Sequence, residues 1–316
     1  MSISEENNLT VDAGFFLLGF QNGRATNIVL FCLFLVVYCL IICGNLLIIT
    51  LVSTSKNLHT PMYFFISHLS ISDLLISTDI VPHMFHVLLN NGVTITFICC
   101  LTQLYFFAAS EVSECFLLTV MSYDRYVAIC NPLSYFSIMT TTLIMTRVHC
   151  IVLAAICWLL GFSIALLYII TISVMTFCGP NIVDHFFCDL VPLVELACSS
   201  TYTIEIEVFI ICFLAALLPI IIMIISYVNI ILNILRIQSN IRRQKAFSTC
   251  SSHLIVVSIF YGTLFSVYIV PTKGQTLTMS KILSLLYTVF TPLVNPIIYS
   301  LRNKDIKKSL QEMLNM

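Results

Sequence analysis

The sequence predicts an all-α membrane protein: a seven-transmembrane helix bundle with a short amphipathic helix at its C-terminal end. Three observations carry that prediction. First, 59% of the 316 residues are hydrophobic and only 9% are charged, against roughly 25% charged in a soluble domain. A water-soluble fold of this length has no interior large enough for so much apolar surface. Second, seven stretches are long and apolar enough to cross a hydrocarbon core about 30 Å thick, which takes about 20 helical residues. Third, with seven spans and the N-terminus outside, the basic residues segregate. Lys56, Arg125, Arg147, Arg236, Arg242, Arg243, Lys245, Arg302, Lys304, Lys307 and Lys308 fall on one side, and only Arg24, Lys273 and Lys281 on the other. That bias marks the first side as cytoplasmic. Residues 1–26 are then expected to be an extracellular N-terminus, 27–301 the membrane domain and 302–316 a cytoplasmic tail.

The start, Met1 to Asn8, is acidic and polar. It lacks the basic region and apolar run of a cleaved signal peptide, so the first span is expected to act as an uncleaved signal-anchor. Asn8-Leu9-Thr10 is an N-glycosylation sequon, usable only on the lumenal side. The spans fall at about 27–52, 62–90, 97–130, 142–170, 203–235, 246–270 and 282–301. The second carries Asp73, Asp79, Pro82 and His83, and the third exceeds what the bilayer needs, so it tilts or protrudes. The connection from Thr171 to Tyr202 holds Cys178, Cys188 and Cys198 on the expected oxidising side. Cys32, Cys39, Cys43, Cys115, Cys150, Cys157 and Cys212 lie within apolar helices, where thiols act as small packing groups. Pro219 and Pro296 each interrupt a helical hydrogen-bond ladder and bend the fifth and seventh spans. In the tail, Ile306, Leu310, Met313 and Leu314 recur at helical spacing beside Lys304, Lys307 and Lys308, the pattern of a helix lying on the membrane surface.

The charged residues inside the spans carry the chemistry. An Asp-Arg pair, Asp124-Arg125, stands at the edge of the third span, where a charge costs a few kcal/mol and normally has a partner. Arg125 presents five donors in a fork; a simple snorkelling anchor is the plainer alternative. Asp73 and Glu114 lie mid-membrane with Asn295, and buried carboxyls need a counter-ion, a proton or hydrogen bonds. Glu111 sits one turn from Glu114 on the same face, and two such carboxyls are not both ionised in an apolar bundle. Two readings stand for Glu111: recognition of an amine or other donor, or a neutral acid bonded to Tyr261, Thr288 or water. The chain has neither a His-Glu-x-x-His zinc motif nor a Gly-x-Ser-x-Gly nucleophile turn, which argues against an intramembrane enzyme. Neither an inverted repeat nor a continuous path of charges favours a transporter or channel. The net charge of −1 gives no reason to expect nucleic acid as a partner.

Four motifs then narrow the class. Leu58-His59-Thr60-Pro61-Met62-Tyr63-Phe64-Phe65 opens the second span. Met121-Ser122-Tyr123-Asp124-Arg125-Tyr126-Val127-Ala128-Ile129-Cys130-Asn131-Pro132-Leu133 closes the third. Lys245-Ala246-Phe247-Ser248-Thr249-Cys250-Ser251-Ser252-His253-Leu254 opens the sixth, and Pro292-Leu293-Val294-Asn295-Pro296-Ile297-Ile298-Tyr299-Ser300-Leu301-Arg302-Asn303 closes the seventh. In this order the chain resembles the vertebrate olfactory receptor family of rhodopsin-like G-protein-coupled receptors. A non-olfactory receptor of the same fold is the alternative; against it, Phe260-Tyr261-Gly262 stands where many such receptors carry Cys-Trp-x-Pro, and the one tryptophan is Trp158.

The resemblance implies a small, mostly apolar odorant as ligand and a stimulatory, olfactory-type heterotrimeric G protein as partner, with cyclic AMP as output. It implies a place in the plasma membrane of olfactory sensory cilia, help from a trafficking chaperone, and no cofactor or enzymatic activity. Mapped onto this chain, the family's pocket comprises Phe107, Ala108, Glu111, Val112 and Cys115; Val208, Ile211, Cys212 and Ala215; Tyr261, Leu264, Phe265 and Tyr268; and Leu285 and Thr288. Tyr261 is the candidate toggle. Asp124, Arg125, Tyr126, Tyr227, Asn295, Pro296 and Tyr299 match the family's coupling and switch positions. Asp73, Glu114 and Asn295 match a polar pocket held to carry sodium or a proton, with a hydrogen-bonded contact between helices as the plainer reading. A disulfide from Cys100 to Cys188 is implied, leaving Cys178 for Cys198, though Cys99 offers a competing thiol. His185, Cys188 and Asp189 make a weaker alternative, a copper or zinc trio.

Overall fold

Inside lipid every backbone N–H and C=O must be satisfied within the chain, which leaves helix as the form for an apolar sequence of this kind. The computed structural model describes residues 14–130, 143–178, 180–236, 239–268 and 277–314. Asn8, residues 131–142 and the side chain of Tyr268 lie outside the described residues. Seven long helices run in chain order: α1 Arg24–Thr54, α2 Pro61–Asn90, α3 Phe97–Cys130, α4 Leu143–Ser173, α5 Tyr202–Arg236, α6 Asn240–Tyr268 and α7, which is built from Leu277–Leu285, Leu286–Phe290 and Thr291–Arg302. The tail helix α8 spans Lys304–Leu314.

Among the described residues six of the helices are long and apolar enough to cross a membrane, and within α6 the described residues Cys250–Ser266 are an apolar helical run.

Local chemistry explains the ends. Pro61 occupies the first turn of α2, where its missing N–H costs nothing. At the far end Asn91 adopts the left-handed conformation (φ 54°), followed by Gly92 at φ 112°, a left-handed cap that returns the N–H of Gly92 to the Val87 carbonyl at 3.1 Å. Asn303 caps α8 through its side-chain oxygen, which accepts from the N–H groups of Asp305 and Ile306.

Helix α3 is the axis: 61% of its most apolar window is buried, against 17% for α1 and α5, whose outer faces are left to lipid. Helix α4 reaches α3 through Gly161, where a Cβ would stand 2.1 Å from Ser113 Oγ and 2.6 Å from the Ala109 carbonyl. Trp158 donates to His68 Nδ1 at 3.2 Å, joining α4 to α2.

The prolines behave differently from one another. The α5 irregularity is a π turn at Cys212–Leu217, immediately before Pro219. In α7 Pro296 withholds the N–H that the Pro292 carbonyl would receive. Asn45 of α1 supplies the missing donor at 3.1 Å. Its neighbour Gly44 lets α1 close in, since a Cβ there would lie 3.1 Å from Pro296 Cγ. The helix keeps its bend without an orphaned carbonyl.

The all-helical expectation omits one feature. A small three-stranded sheet covers one end of the bundle, in the order β2–β1–β3, with β1 Phe15–Leu17, β2 Val93–Ile95 and β3 Ile182–Val183. β1 pairs antiparallel with β2, Phe15 opposite Ile95, and parallel with β3, Phe16 opposite Ile182. Apolar packing divides into a large cluster beneath this sheet, containing Phe15, Leu104, Phe107, Phe186 and Phe187, and a second in the other half, containing Leu117, Met121, Phe260, Tyr261 and Tyr299. A layer of buried Asn45, Ser72, Asp73, Ser110, Glu111, Ser113, Glu114 and Asn295 side chains accompanies them.

Candidate functional site

The connection between α4 and α5 folds back over the sheet-covered end. Gly19 N–H donates to the His185 carbonyl and Leu18 N–H to that of Val183, each at 3.0 Å. Lys281 of α7 fastens the layers together, donating to the Gly19 carbonyl at 2.7 Å and to Asp184 Oδ1 at 2.5 Å. Cys100 on α3 is bonded to Cys188, and Cys178 to Cys198 within the same connection. Cys99, the competing thiol, is free and exposed.

The metal trio is not assembled. Cys188 spends its sulfur in the disulfide, and no group of three or more His, Cys, Asp or Glu among the described residues is arranged to hold a metal. His185 is fully buried, bonded through Nε2 to Ser284 Oγ at 3.2 Å and flanked by the rings of Phe186 and Phe187. Burial first, and then the nearby Lys281 ammonium, push its imidazole down to about 3, so it is neutral at physiological pH. Asp189 turns inward and opens the short helix Leu190–Glu195. Its Oδ1 accepts from the Leu190 N–H at 2.8 Å and its Oδ2 from the Tyr287 hydroxyl at 3.2 Å. Burial raises its carboxyl above the usual range, and these donors partly offset the rise.

Beneath Asp189 lies a cavity of about 80 Å³ between α3, α4 and α5. Of the residues expected there, Phe107, Ala108, Glu111, Val112, Val208, Ile211 and Cys212 line it. Leu104, Ile164, Ala165, Tyr168, Asp189 and Leu190 also line it and escaped the sequence reading. The α4 contribution has a faint signature: Ile164 and Tyr168 sit one turn apart on the face Gly161 brings against α3.

Cys115, Ala215, Tyr261, Leu264, Phe265, Leu285 and Thr288 do not line this cavity. Cys115 is one turn deeper than Glu111, and with Tyr261, Leu264 and Phe265 it belongs to the second apolar cluster. Ala215 is buried inside the π turn of α5. Leu285 packs on the upper cluster. The hydroxyl of Thr288 donates to the Ser284 carbonyl at 2.8 Å. The Tyr261 hydroxyl is buried without a partner.

Deeper along α3, Asn295 donates to both carboxyl oxygens of Asp73 at 3.1 Å. Glu114 Oε1, Asn295 Oδ1 and Ser110 Oγ are buried without partners in the same layer. At the end of α3 Arg125 bonds Asp124 Oδ2, through Nε at 3.1 Å and through Nη2. Tyr126 packs against a small cluster of Tyr227, Ile230, Ile234 and Cys250. Tyr227 on α5 is hydrogen-bonded through its hydroxyl to His253 Nδ1 on α6, a partner the sequence reading did not assign. Tyr299 is buried with its hydroxyl unpaired. Tyr63 donates to Asn303 Oδ1 at 2.9 Å and Asp305 Oδ2 at 3.0 Å, tying α2 to α8.

One α3 helix thus carries a cavity near one end and a paired arginine at the other, with Tyr227 of α5 bonded to His253 of α6 beside that arginine end. Known sequences agree with that arrangement. The family model described as Olfactory receptor matches residues 31–316. The human Olfactory receptor 11L1 is 44% identical over 317 residues, covering 98% of this chain and 94% of that protein. The mouse Olfactory receptor 5G26 is 45% identical, covering 96% and 93%. The gorilla Olfactory receptor 1G1 is 43% identical, covering 98% and 97%. The chain belongs to the olfactory receptor family of multi-pass plasma-membrane receptors.

Proposed function

We propose that this receptor takes a small volatile odorant into the α3–α4–α5 cavity and, on binding, activates a stimulatory, olfactory-type G protein that raises cyclic AMP. The observation that carries the reading is the cavity itself: about 80 Å³, walled by Leu104, Phe107, Ile164, Val208 and Ile211 and roofed by the disulfide-anchored connection. A 150 Å³ apolar cavity holds benzene, so a space of this size suits only a small molecule unless side chains move. Each buried CH₂ contributes about 0.8 kcal/mol, which makes modest affinity and broad tuning the natural outcome.

In this reading the N-terminus is extracellular, the tail from residue 302 is cytoplasmic, and Asn8 carries glycan. Arg125, released from Asp124, meets the G protein when α6 swings outward and Tyr227 leaves His253. Tyr299 and Tyr261, buried with unpaired hydroxyls, gain partners in the active state, because an unsatisfied buried hydroxyl costs about 1–3 kcal/mol. The Asp73–Asn295 pair with Glu114 forms the waist of this relay and holds a proton or a sodium ion.

The test is an odorant screen with cyclic AMP readout in cells supplied with a trafficking chaperone, on wild type, Arg125→Ala and Tyr261→Ala. Agonist-dependent cyclic AMP in wild type, lost in both variants at matched surface levels, is expected. An ion current without G protein would overturn the assignment, and full signalling by Tyr261→Ala would place the toggle elsewhere.

A further inference from the structure

The cavity is apolar except at one spot, where Glu111, Asp189 and Tyr168 line it together. No lysine, arginine or histidine lines it among the described residues. Asp189 already accepts two hydrogen bonds, from the Leu190 N–H and the Tyr287 hydroxyl; both are donors, so the arrangement suits the ionised carboxylate. Glu111 is only 9% exposed, makes no hydrogen bond among the described residues, and is part of the cavity wall. Tyr168 lines the same cavity on a side chain 7% exposed. A buried carboxyl facing a second one, without a donor for itself, needs either a proton or a cationic partner between them.

We propose that the cavity selects a primary ammonium ion with a short alkyl chain, its head held between Glu111 and Asp189. This rests on the reading of the cavity as the ligand site and adds the chemical class. An alkylammonium head has three N–H donors and no acceptor, as a lysine head does. Two carboxylates and the Tyr168 hydroxyl offer the matching three acceptors. Charge-assisted bonds to carboxylates are about twice as strong as neutral ones, so the head offsets desolvation that an alcohol could not. The alkyl tail then lies along Phe107, Ile164 and Val208. The space accommodates a chain of about four carbons, being smaller than the cavity of about 150 Å³ that binds benzene. A carboxylic acid of the same length meets two like charges and is rejected, and an alcohol has a single donor for two carboxyls.

Butylamine, butan-1-ol and butanoate are isosteric probes of this assignment. Thermal stabilisation of the purified receptor reads binding without the G protein, and cyclic AMP in cells reads signalling. Butylamine is expected to stabilise wild type at concentrations at least tenfold below those needed with butan-1-ol, and butanoate to have no effect. Glu111→Gln keeps a polar side chain of the same shape and is expected to erase the amine's advantage while leaving the alcohol's effect. Asp189→Asn is a second variant with the same expectation. Equal effects of amine and alcohol on wild type would overturn the proposal, as would an amine advantage that persists in folded Glu111→Gln. Stabilisation by butylamine without cyclic AMP would uphold the ligand class and sink the signalling role. Cyclic AMP responses to uncharged odorants, with butylamine inert in both assays, would do the reverse.

Discussion

The two ends of the bundle are held by different kinds of bond. The sheet-covered end is fixed three times over: by the Cys100–Cys188 disulfide, by β1 paired on both edges, and by Lys281 gripping both Gly19 and Asp184. The Arg125 end is held by exchangeable hydrogen bonds, Arg125 to Asp124 and Tyr227 to His253, with Tyr261, Tyr299 and His253 Nε2 buried and short of partners. Under the proposed function, the contrast lets one molecule both hold a ligand site and change state. Redundant covalent and ionic ties keep a cavity in shape, whereas groups with one partner made and one unmet define two arrangements of similar energy.

Breaking the clamp is the strongest way to test the contrast. Lys281→Met removes one partner of a buried ion pair, which ordinarily costs 3–5 kcal/mol. Because Asp184 keeps some contact with water, we expect about 3 kcal/mol, read as a fall in melting temperature and in surface labelling. An unchanged melting temperature would show that the disulfide and sheet hold this end alone.

At the waist, Asn45→Leu orphans the Pro292 carbonyl that Pro296 leaves without its helical donor. A loss of about 1–3 kcal/mol is expected. Neutrality in thermal unfolding would mean that another donor reaches that carbonyl.

A pH shift tests the roof. His185 is neutral and buried, with its folded pKa near 3 against an ordinary 6.5. A depressed imidazole contributes nothing to pH dependence above about 6.5, and folding weakens as pH falls below that value, since only the unfolded chain accepts the proton easily. By pH 5.5 the loss is about 1.4 kcal/mol. Asp189 acts in the opposite sense: its raised carboxyl favours the folded state as pH falls. Lys281 is the charged group that acts on His185 from α7. Comparing wild type with His185→Gln cancels the other groups, and the variant should lack the drop between pH 7.5 and 5.5. An identical profile in both would exclude His185 as its source.

The smallest effect on stability is expected at the switch end. Tyr261→Phe deletes a hydroxyl that has no partner in this state, so stability should hold or rise by less than about 1 kcal/mol. Agonist potency should nevertheless fall, because the active state loses its hydrogen bond. A destabilised variant with normal potency would contradict a two-state role.

Much of the site was legible because the signals were local. The Asp124-Arg125 pair, Glu111 and Glu114 one turn apart, and the α3 and α5 walls from Phe107 to Cys212 follow from helical spacing and from the resemblance. The α6 and α7 members did not join the cavity, because α3, α4, α5 and the Asp189–Leu190 segment supply its whole lining. His185 and Asp189 were noticed as a motif, yet their roles depend on Ser284 and Tyr287, 99 and 98 residues away.

The sequence by itself determined the helices, their number and the family, since apolar length, charge placement and short motifs are properties of neighbouring residues. Only the tertiary structure decided which ends are fastened and where the cavity lies. Lys281 meets Gly19 across 262 residues and Asn45 meets Pro292 across 247. Helical periodicity says which face a side chain occupies and is silent on what stands opposite. That is set by where Gly161 and Gly44 admit a neighbouring helix, by π turns, and by the Cys100–Cys188 disulfide that draws one loop over the bundle.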